Sequence, residues 1–108
     1  MAAEATTGLQ TAHVDKAEKV KTGYGFTKFL IKNEAGPNIM IRYWGPETDV
    51  HLHAHVYDEM WYVMEGEVIF NDTAYEQGSV ILIKKGVAYT AKAPKGTALL
   101  RYAAGPGG

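Results

Sequence analysis

The feature that most constrains the fold is a regular alternation of short strand-forming runs with turn signals from Tyr24 onward. Runs of this length, bounded by Gly, Pro, Asn or Asp, are typical of β-sandwiches and β-barrels. We therefore predict an all-β fold of eight or nine strands, with a tight hairpin turn at Asn71-Asp72. The predicted runs are Phe26–Lys32, Asn38–Trp44, Val50–His55, Glu59–Met64, Glu67–Phe70, Thr73–Tyr75, Val80–Ile83, Ala88–Ala93 and Thr97–Tyr102.

Composition excludes several classes of protein. The net charge of -1 lacks the positive excess of nucleic-acid binders, so we expect no nucleic-acid partner. The absence of cysteine excludes disulfides, thiolate metal clusters and a cysteine nucleophile. No apolar run approaches the roughly 20 residues that span a membrane. The polar N-terminal stretch does not resemble a signal peptide, so we expect a cytoplasmic protein without a membrane partner.

The chain of 108 residues has the length of one domain. We expect an N-terminal arm over residues 1–20, a single β-barrel domain over residues 21–103 and a loose tail over residues 104–108. Within the arm, a short helix across Val14–Val20 and a mobile segment are both open.

Three of the four histidines, His51, His53 and His55, alternate with apolar residues. Side chains two residues apart on a strand share a face, so the three imidazoles are predicted to point the same way. Glu59 follows after a predicted turn at Tyr57-Asp58, which would return its carboxylate beside them. Imidazoles with one carboxylate suit a divalent transition metal, namely Fe, Mn, Ni, Cu or Zn. The alternative is a surface histidine cluster without a ligand.

Two segments resemble the sequence motifs of the cupin superfamily. The stretch from His53 through His55 and Glu59 to Gly66 is similar to the first cupin motif, and Gly78–Tyr89 is similar to the second. The resemblance covers roughly residues 38–102 and implies a cupin-type jelly-roll β-barrel with one bound metal. Lys84 stands where the family usually has Pro.

Tyr89 stands where the second motif has its last metal-binding His. The resemblance therefore reduces the usual three-His, one-Glu ligand set to His53, His55 and Glu59. Either His51 supplies the missing imidazole, or Tyr89 ligates as a phenolate or faces the metal as an acid. A phenol needs a metal or a positive neighbour to ionise near neutral pH. Both residues are thus candidate catalytic groups.

Four further residues are candidates for a substrate pocket. Trp61 shares its face with Glu59 and is expected inside the barrel, whereas aromatic residues such as Tyr43 and Tyr62 are also ordinary core residues. An interior Arg42 could clamp a carboxylate or enolate substrate. Strand parity does not say which face is interior, and we expect Arg42 to be exposed.

The resemblance implies three kinds of function. The first is an O₂-dependent dioxygenase acting on a small enolisable or phenolic molecule, with a redox metal. The second is a non-redox isomerase, lyase or cyclase that uses the metal as a Lewis acid. The third is a non-catalytic ligand-binding or sensor protein. Dimers are common among similar cupins, so we also expect a homodimer.

Overall fold

The protein is built almost entirely of antiparallel strands, in a computed structural model that describes residues 8–106. This confirms the all-β prediction. The described residues form nine strands: β1 (Val20–Thr22), β2 (Gly25–Ile31), β3 (Asn38–Trp44), β4 (Thr48–His53), β5 (Glu59–Phe70), β6 (Thr73–Glu76), β7 (Val80–Ile83), β8 (Tyr89–Ala93) and β9 (Thr97–Ala103). Among the described residues, no helix is long and apolar enough to cross a membrane.

The strands follow the order β1-β2-β3-β9-β5-β8-β4, and β6 and β7 also pair with β5. The predicted break at Glu65-Gly66 is wrong, because β5 continues through it as a strand of 12 residues. Gly66 has a φ of 76°, and a Cβ there would lie 2.7 Å from the carbonyl oxygen of Gly96. The glycine thus bends the strand instead of ending it. Before the bend β5 pairs with β9, and after it with β6 and β8, so one strand joins both halves of the barrel.

The turn between β5 and β6 matches its prediction. Asn71 and Asp72 both have positive φ angles, 48° and 68°. A two-residue hairpin turn needs this conformation because its twist matches that of the flanking strands. Asn and Asp tolerate it better than most residues.

Strand β5 separates the interior of the barrel from its outer surface. Glu59, Trp61 and Val63 point inward and are at most 2% exposed. The residues between them point to the other side, because side chains alternate along a strand. Trp61 and Val63 pack with Tyr89 and Leu99 in the main apolar cluster.

The N-terminal arm is only partly a helix. Residues 1–7 lie outside the described part, and Val14–Lys16 forms a single 3₁₀ turn instead of a helix reaching Val20. The side chains of Gln10 and Asn33 exchange two hydrogen bonds, and Lys28 Nζ donates to the Val14 carbonyl. Val14 and Ala17 also pack against the cluster of Leu30, Ile31 and Ile41, so the described part of the arm lies against β2 and β3.

The start of the C-terminal tail is also fixed, where a loose segment was expected. The Ala104 amide donates to the Asp58 carbonyl at 2.9 Å, and the Gly105 carbonyl accepts from Asn38 Nδ2 at 3.3 Å. Residues 107 and 108 lie outside the described part.

Candidate functional site

A cavity of about 210 Å³ opens inside the barrel. The turn between β1 and β2 borders this cavity. The hydroxyl of Tyr24 in this turn donates a hydrogen bond to the Asp49 carbonyl at 2.7 Å, which holds the turn against β4. The lining residues come from six strands and two loops: Thr22, Gly23, Tyr24, Arg42, Trp44, Val50, His53, His55, Trp61, Tyr89 and Arg101.

The carboxylate of Glu59 lies beside this cavity and is only 1% exposed. Its Oε1 accepts hydrogen bonds from Trp61 Nε1 at 3.0 Å and from Arg101 Nε at 2.9 Å. The Tyr89 hydroxyl donates to the same carboxylate, 3.1 Å from Oε1 and 3.0 Å from Oε2. A buried charge needs this kind of compensation, since burial without partners costs several kcal/mol.

Arg101 is the functional residue that the sequence interpretation missed. It is 1% exposed, pairs across the sheet with Trp61, and holds its guanidinium carbon 5.2 Å from the centre of that ring. Its Nη1 is buried and has no hydrogen-bond partner among the described residues. The sequence could have indicated its inward position. Arg101 lies two residues after Leu99 in an apolar run, so the two side chains share a face of the strand.

Arg42 also lines the cavity, so the expectation that it is exposed is wrong. Its Nη1 donates to Thr27 Oγ1 at 3.2 Å. Burial, and next the positive charge of Arg101, lower the pKa of Arg42. The parity of β3 placed Arg42 and Trp44 together on one face, but only the closure of the sheet makes that face the interior.

His53 and His55 lie together in the cavity wall, with ring centres 4.9 Å apart. His53 pairs with Tyr89 across β4 and β8. Its Nδ1 lies 2.9 Å from the His51 carbonyl oxygen, which can only accept a hydrogen bond. Nδ1 of His53 therefore carries the proton, and in the neutral ring Nε2 carries the lone pair.

His55 Nε2 lies 3.6 Å from Glu59 Oε2. Burial lowers the pKa of His55, and the opposing attraction of Glu59 is the smaller effect. The neutral ring is thus favoured near pH 7.

The predicted shared face of His51 with His53 and His55 is wrong. The pairing of β4 with β8 is irregular between Val50 and His53, so the alternation of side chains shifts there. Val50 and His53 both line the cavity, whereas His51 and Leu52 are exposed. The structure does not bring the His51 side chain to the site, either as a metal ligand or as a catalytic group.

Of the predicted pocket aromatics, Trp61 lines the cavity, and Tyr43 and Tyr62 lie outside it. Tyr62 is 38% exposed on the outer face of β5. Tyr43 stacks on Phe26 with ring centres 4.4 Å apart. Tyr43 follows the inward-facing Arg42, and Tyr62 follows the inward-facing Trp61. Because successive side chains on a strand point to opposite faces, both tyrosines face away from the barrel interior.

Tyr89 lines the cavity as a neutral phenol. Burial, and next the negative charge of Glu59, raise its pKa well above the usual value. Its hydroxyl hydrogen is engaged by the Glu59 carboxylate. This environment opposes the predicted phenolate ligand.

The predicted metal site, with His53, His55 and Glu59 as ligands, can be tested against these contacts. Among the described residues, no three side chains of the His, Cys, Asp and Glu types come together as metal ligands. Oε1 of Glu59 is occupied by three hydrogen-bond donors. Two arginines border the same cavity, and their charge disfavours a further cation. The side chains present therefore do not fit a resident divalent metal.

Comparison with known proteins gives a fold assignment. No family model matches the chain, and no curated protein matches it. Solved structures do match: an RmlC-like cupin from Shewanella frigidimarina is 20% identical with a TM-score of 0.77, and the match covers 90% of each chain. KdgF from a Halomonas species is 12% identical with a TM-score of 0.73, over 87% of this chain and 94% of that one. An RmlC-like cupin from Ralstonia eutropha is 15% identical with a TM-score of 0.76, over 92% and 71%.

At these identities the likeness concerns the fold. The predicted cupin-type barrel is confirmed, and the cavity described above lies inside it.

Proposed function

We propose that this cupin-fold protein is an enzyme that moves a proton on a small enolisable molecule without a resident metal. The observation that carries the proposal is the orientation of His53 in the cavity wall. The His51 carbonyl holds its Nδ1 proton, which leaves Nε2 as a base at the cavity. An imidazole whose ring orientation is fixed by a hydrogen bond and whose other nitrogen carries a lone pair is suited to general base catalysis.

The chemistry is a proton transfer at carbon. Nε2 of His53 takes a proton from the carbon next to a carbonyl group, and the electron pair of the broken C–H bond moves to the carbonyl oxygen as an enolate. Return of the proton from the imidazolium to another atom of the enolate completes an isomerisation, and no electrons are gained or lost. The positive charges of Arg42 and Arg101 favour the negative intermediate.

Two other predicted functions have weaker support. The O₂-dependent dioxygenase and the Lewis-acid enzyme both require a metal that the described side chains do not fit. A non-catalytic binding protein needs only the cavity, and it is the alternative to be distinguished by experiment.

The test is exchange of carbon-bound hydrogen for deuterium, followed by proton NMR in D₂O with small ketones and carbonyl acids. We expect exchange catalysed by the wild-type protein and a rate about 100-fold lower for His53→Gln, as is typical for loss of a general base. His51→Gln is the matched control, because it removes an exposed imidazole two residues away and retains the backbone carbonyl.

Equal rates for His53→Gln and wild type would contradict the assignment of the base. Ligands that bind in the cavity without any exchange would favour the non-catalytic binding protein.

A further inference from the structure

The charges around the cavity do not balance. The chain contains nine lysines and two arginines, and both arginines, Arg42 and Arg101, line this one cavity. Among the described residues, one carboxylate forms an ion pair with these arginines: Glu59 accepts from Arg101 Nε. Two guanidinium charges thus face one carboxylate charge, which leaves one positive charge uncompensated in a partly dehydrated space.

The arginines also retain hydrogen-bonding capacity. Arg101 is 1% exposed, and its Nη1 is buried with no partner in the described part of the chain. Arg42 uses Nη1 for Thr27. A guanidinium group carries five N–H donors in a planar fork. An unpaired buried donor costs about 1–3 kcal/mol, so an oxygen ligand that reaches it would be stabilising.

We propose that Arg42 and Arg101 form a subsite for the carboxylate of a small organic acid. The cavity thus has the donors and charge of an anion site in the place where the sequence resemblance suggested a cation. If the proposed proton-transfer reaction is correct, this subsite makes small carboxylic acids its substrates. Only this link to the reaction rests on the proposed function, since binding itself requires no turnover.

The chemistry of the pocket favours a monocarboxylate. Guanidinium groups bind carboxylates with two parallel hydrogen bonds, which a lysine ammonium cannot do. One additional negative charge balances the excess, whereas a phosphate dianion would overshoot it beside Glu59. The volume of about 210 Å³ is below the roughly 300–1,000 Å³ of drug-sized sites, so the acid is small.

The tryptophans provide a direct readout of binding. The chain contains two, Trp44 and Trp61, and both line the cavity with ring centres 5.6 Å apart. Tryptophan fluorescence, excited selectively over that of tyrosine, therefore reports on the cavity. The probes are propionate and its neutral isostere propionamide, titrated at constant ionic strength, with inorganic phosphate as a third arm.

We expect a saturable change in fluorescence with propionate. Propionamide should bind at least about tenfold more weakly, because the amide carries no charge. Arg42→Gln should weaken propionate binding by about tenfold or more, since hydrogen bonds to charged groups are among the stronger ones. Lys92→Gln, on an exposed position of β8, is the control for net charge and should bind as wild type does. Arg42→Lys keeps the charge without the fork and should be intermediate.

Equal affinity for propionate and propionamide would overturn the proposal, as would wild-type affinity in Arg42→Gln. Tighter binding of phosphate than of propionate would overturn the carboxylate assignment. If Arg42→Gln does not fold, Arg42→Lys at wild-type affinity gives the same negative result for the forked contact. Carboxylate binding without deuterium exchange refutes the enzyme and keeps the subsite, whereas exchange on neutral ketones without carboxylate preference does the opposite.

Discussion

The first half of strand β5 departs from the usual pattern, with a charged residue on its inward face and apolar residues on its outward face. The inward side carries a charged carboxylate, Glu59, which is 1% exposed. The outward side carries apolar residues, of which Tyr62 is 38% exposed. A strand with one solvated face normally has its polar side chains outside. The difference indicates that each face is adapted to something other than water.

The inward face is stable because its polar groups bind one another. Glu59 is bound by Trp61, Tyr89 and Arg101. A connected network of this kind is stabilising only when its members are satisfied. The one unsatisfied atom in it, among the described residues, is Nη1 of Arg101, a residue that lines the cavity.

The outward face continues across neighbouring strands. Met60 pairs with Leu82 and Tyr102, and Tyr62 pairs with Val80. Val80 and Leu82 are 64% and 63% exposed. Contiguous apolar surface of this kind is typical of interaction sites. The homodimer predicted from the resemblance stays a prediction, and this face is its candidate interface.

The largest expected effect is on the inward face. Glu59→Gln removes the carboxylate charge and leaves Arg101 buried without its partner. We expect the free energy of unfolding to fall by about 3–5 kcal/mol, as measured by urea denaturation. The double variant Glu59→Gln/Arg101→Met should recover part of this loss, since it removes the orphaned charge as well. A loss below about 1 kcal/mol would mean that the network contributes little.

The second effect tests the hydroxyl that closes the network. Tyr89→Phe keeps the ring and removes the hydrogen bond to the Glu59 carboxylate. Hydrogen bonds to charged groups contribute about 1.5–3 kcal/mol, so the same denaturation experiment should show a loss in that range. Tyr62→Phe, on the outward face of β5, is the matched control and should be nearly neutral.

The third effect tests the outward face. Leu82→Glu places a charge in the exposed apolar rows, and we expect the free energy of unfolding of the single chain to change by no more than about 0.5 kcal/mol. If two copies meet at this face, light scattering coupled to size exclusion should show a dimer for wild type and a monomer for the variant. A dimer that survives the substitution would place the interface elsewhere.

The smallest effect belongs to an exposed ion pair beside the site. The Lys85 amide, and next the Lys84 ammonium, lower the pKa of Asp58. Its contribution to stability is therefore complete above the unfolded pKa and is lost as the pH falls through the lower folded pKa. The small difference in melting temperature between wild type and Asp58→Asn should be present at pH 7 and shrink as the pH falls below the unfolded pKa towards the lower folded pKa. A difference that persists in acid would show that the charge is not its cause.

Much of the fold could be predicted from local patterns. Asn38–Trp44 and Val80–Ile83 were predicted with the bounds that the structure has. Their ends coincide with turns whose residues favour them locally. The break expected at Gly66 failed because the same glycine serves a bend within a strand, and the close approach of Gly96 that requires it is made by a residue 30 positions away.

The site was predicted in part. His53, His55, Glu59, Trp61 and Tyr89 are brought together by the barrel. His51 was included because strict alternation was assumed, and the irregular pairing before His53 is a property of two strands, not of one. Arg101 was missed because it comes from the last strand, far from the histidine motif in sequence.

The sequence by itself determined the all-β class, the main turns and the alternation that sets two residues of a strand on the same or opposite faces. These follow from backbone preferences and side-chain periodicity, which are local. Only the tertiary structure decided which face is interior and which charges meet there. That choice depends on how β3, β5 and β9 pair and curl, and it places Arg42 and Arg101 around one cavity beside Glu59, the carboxylate that binds Arg101.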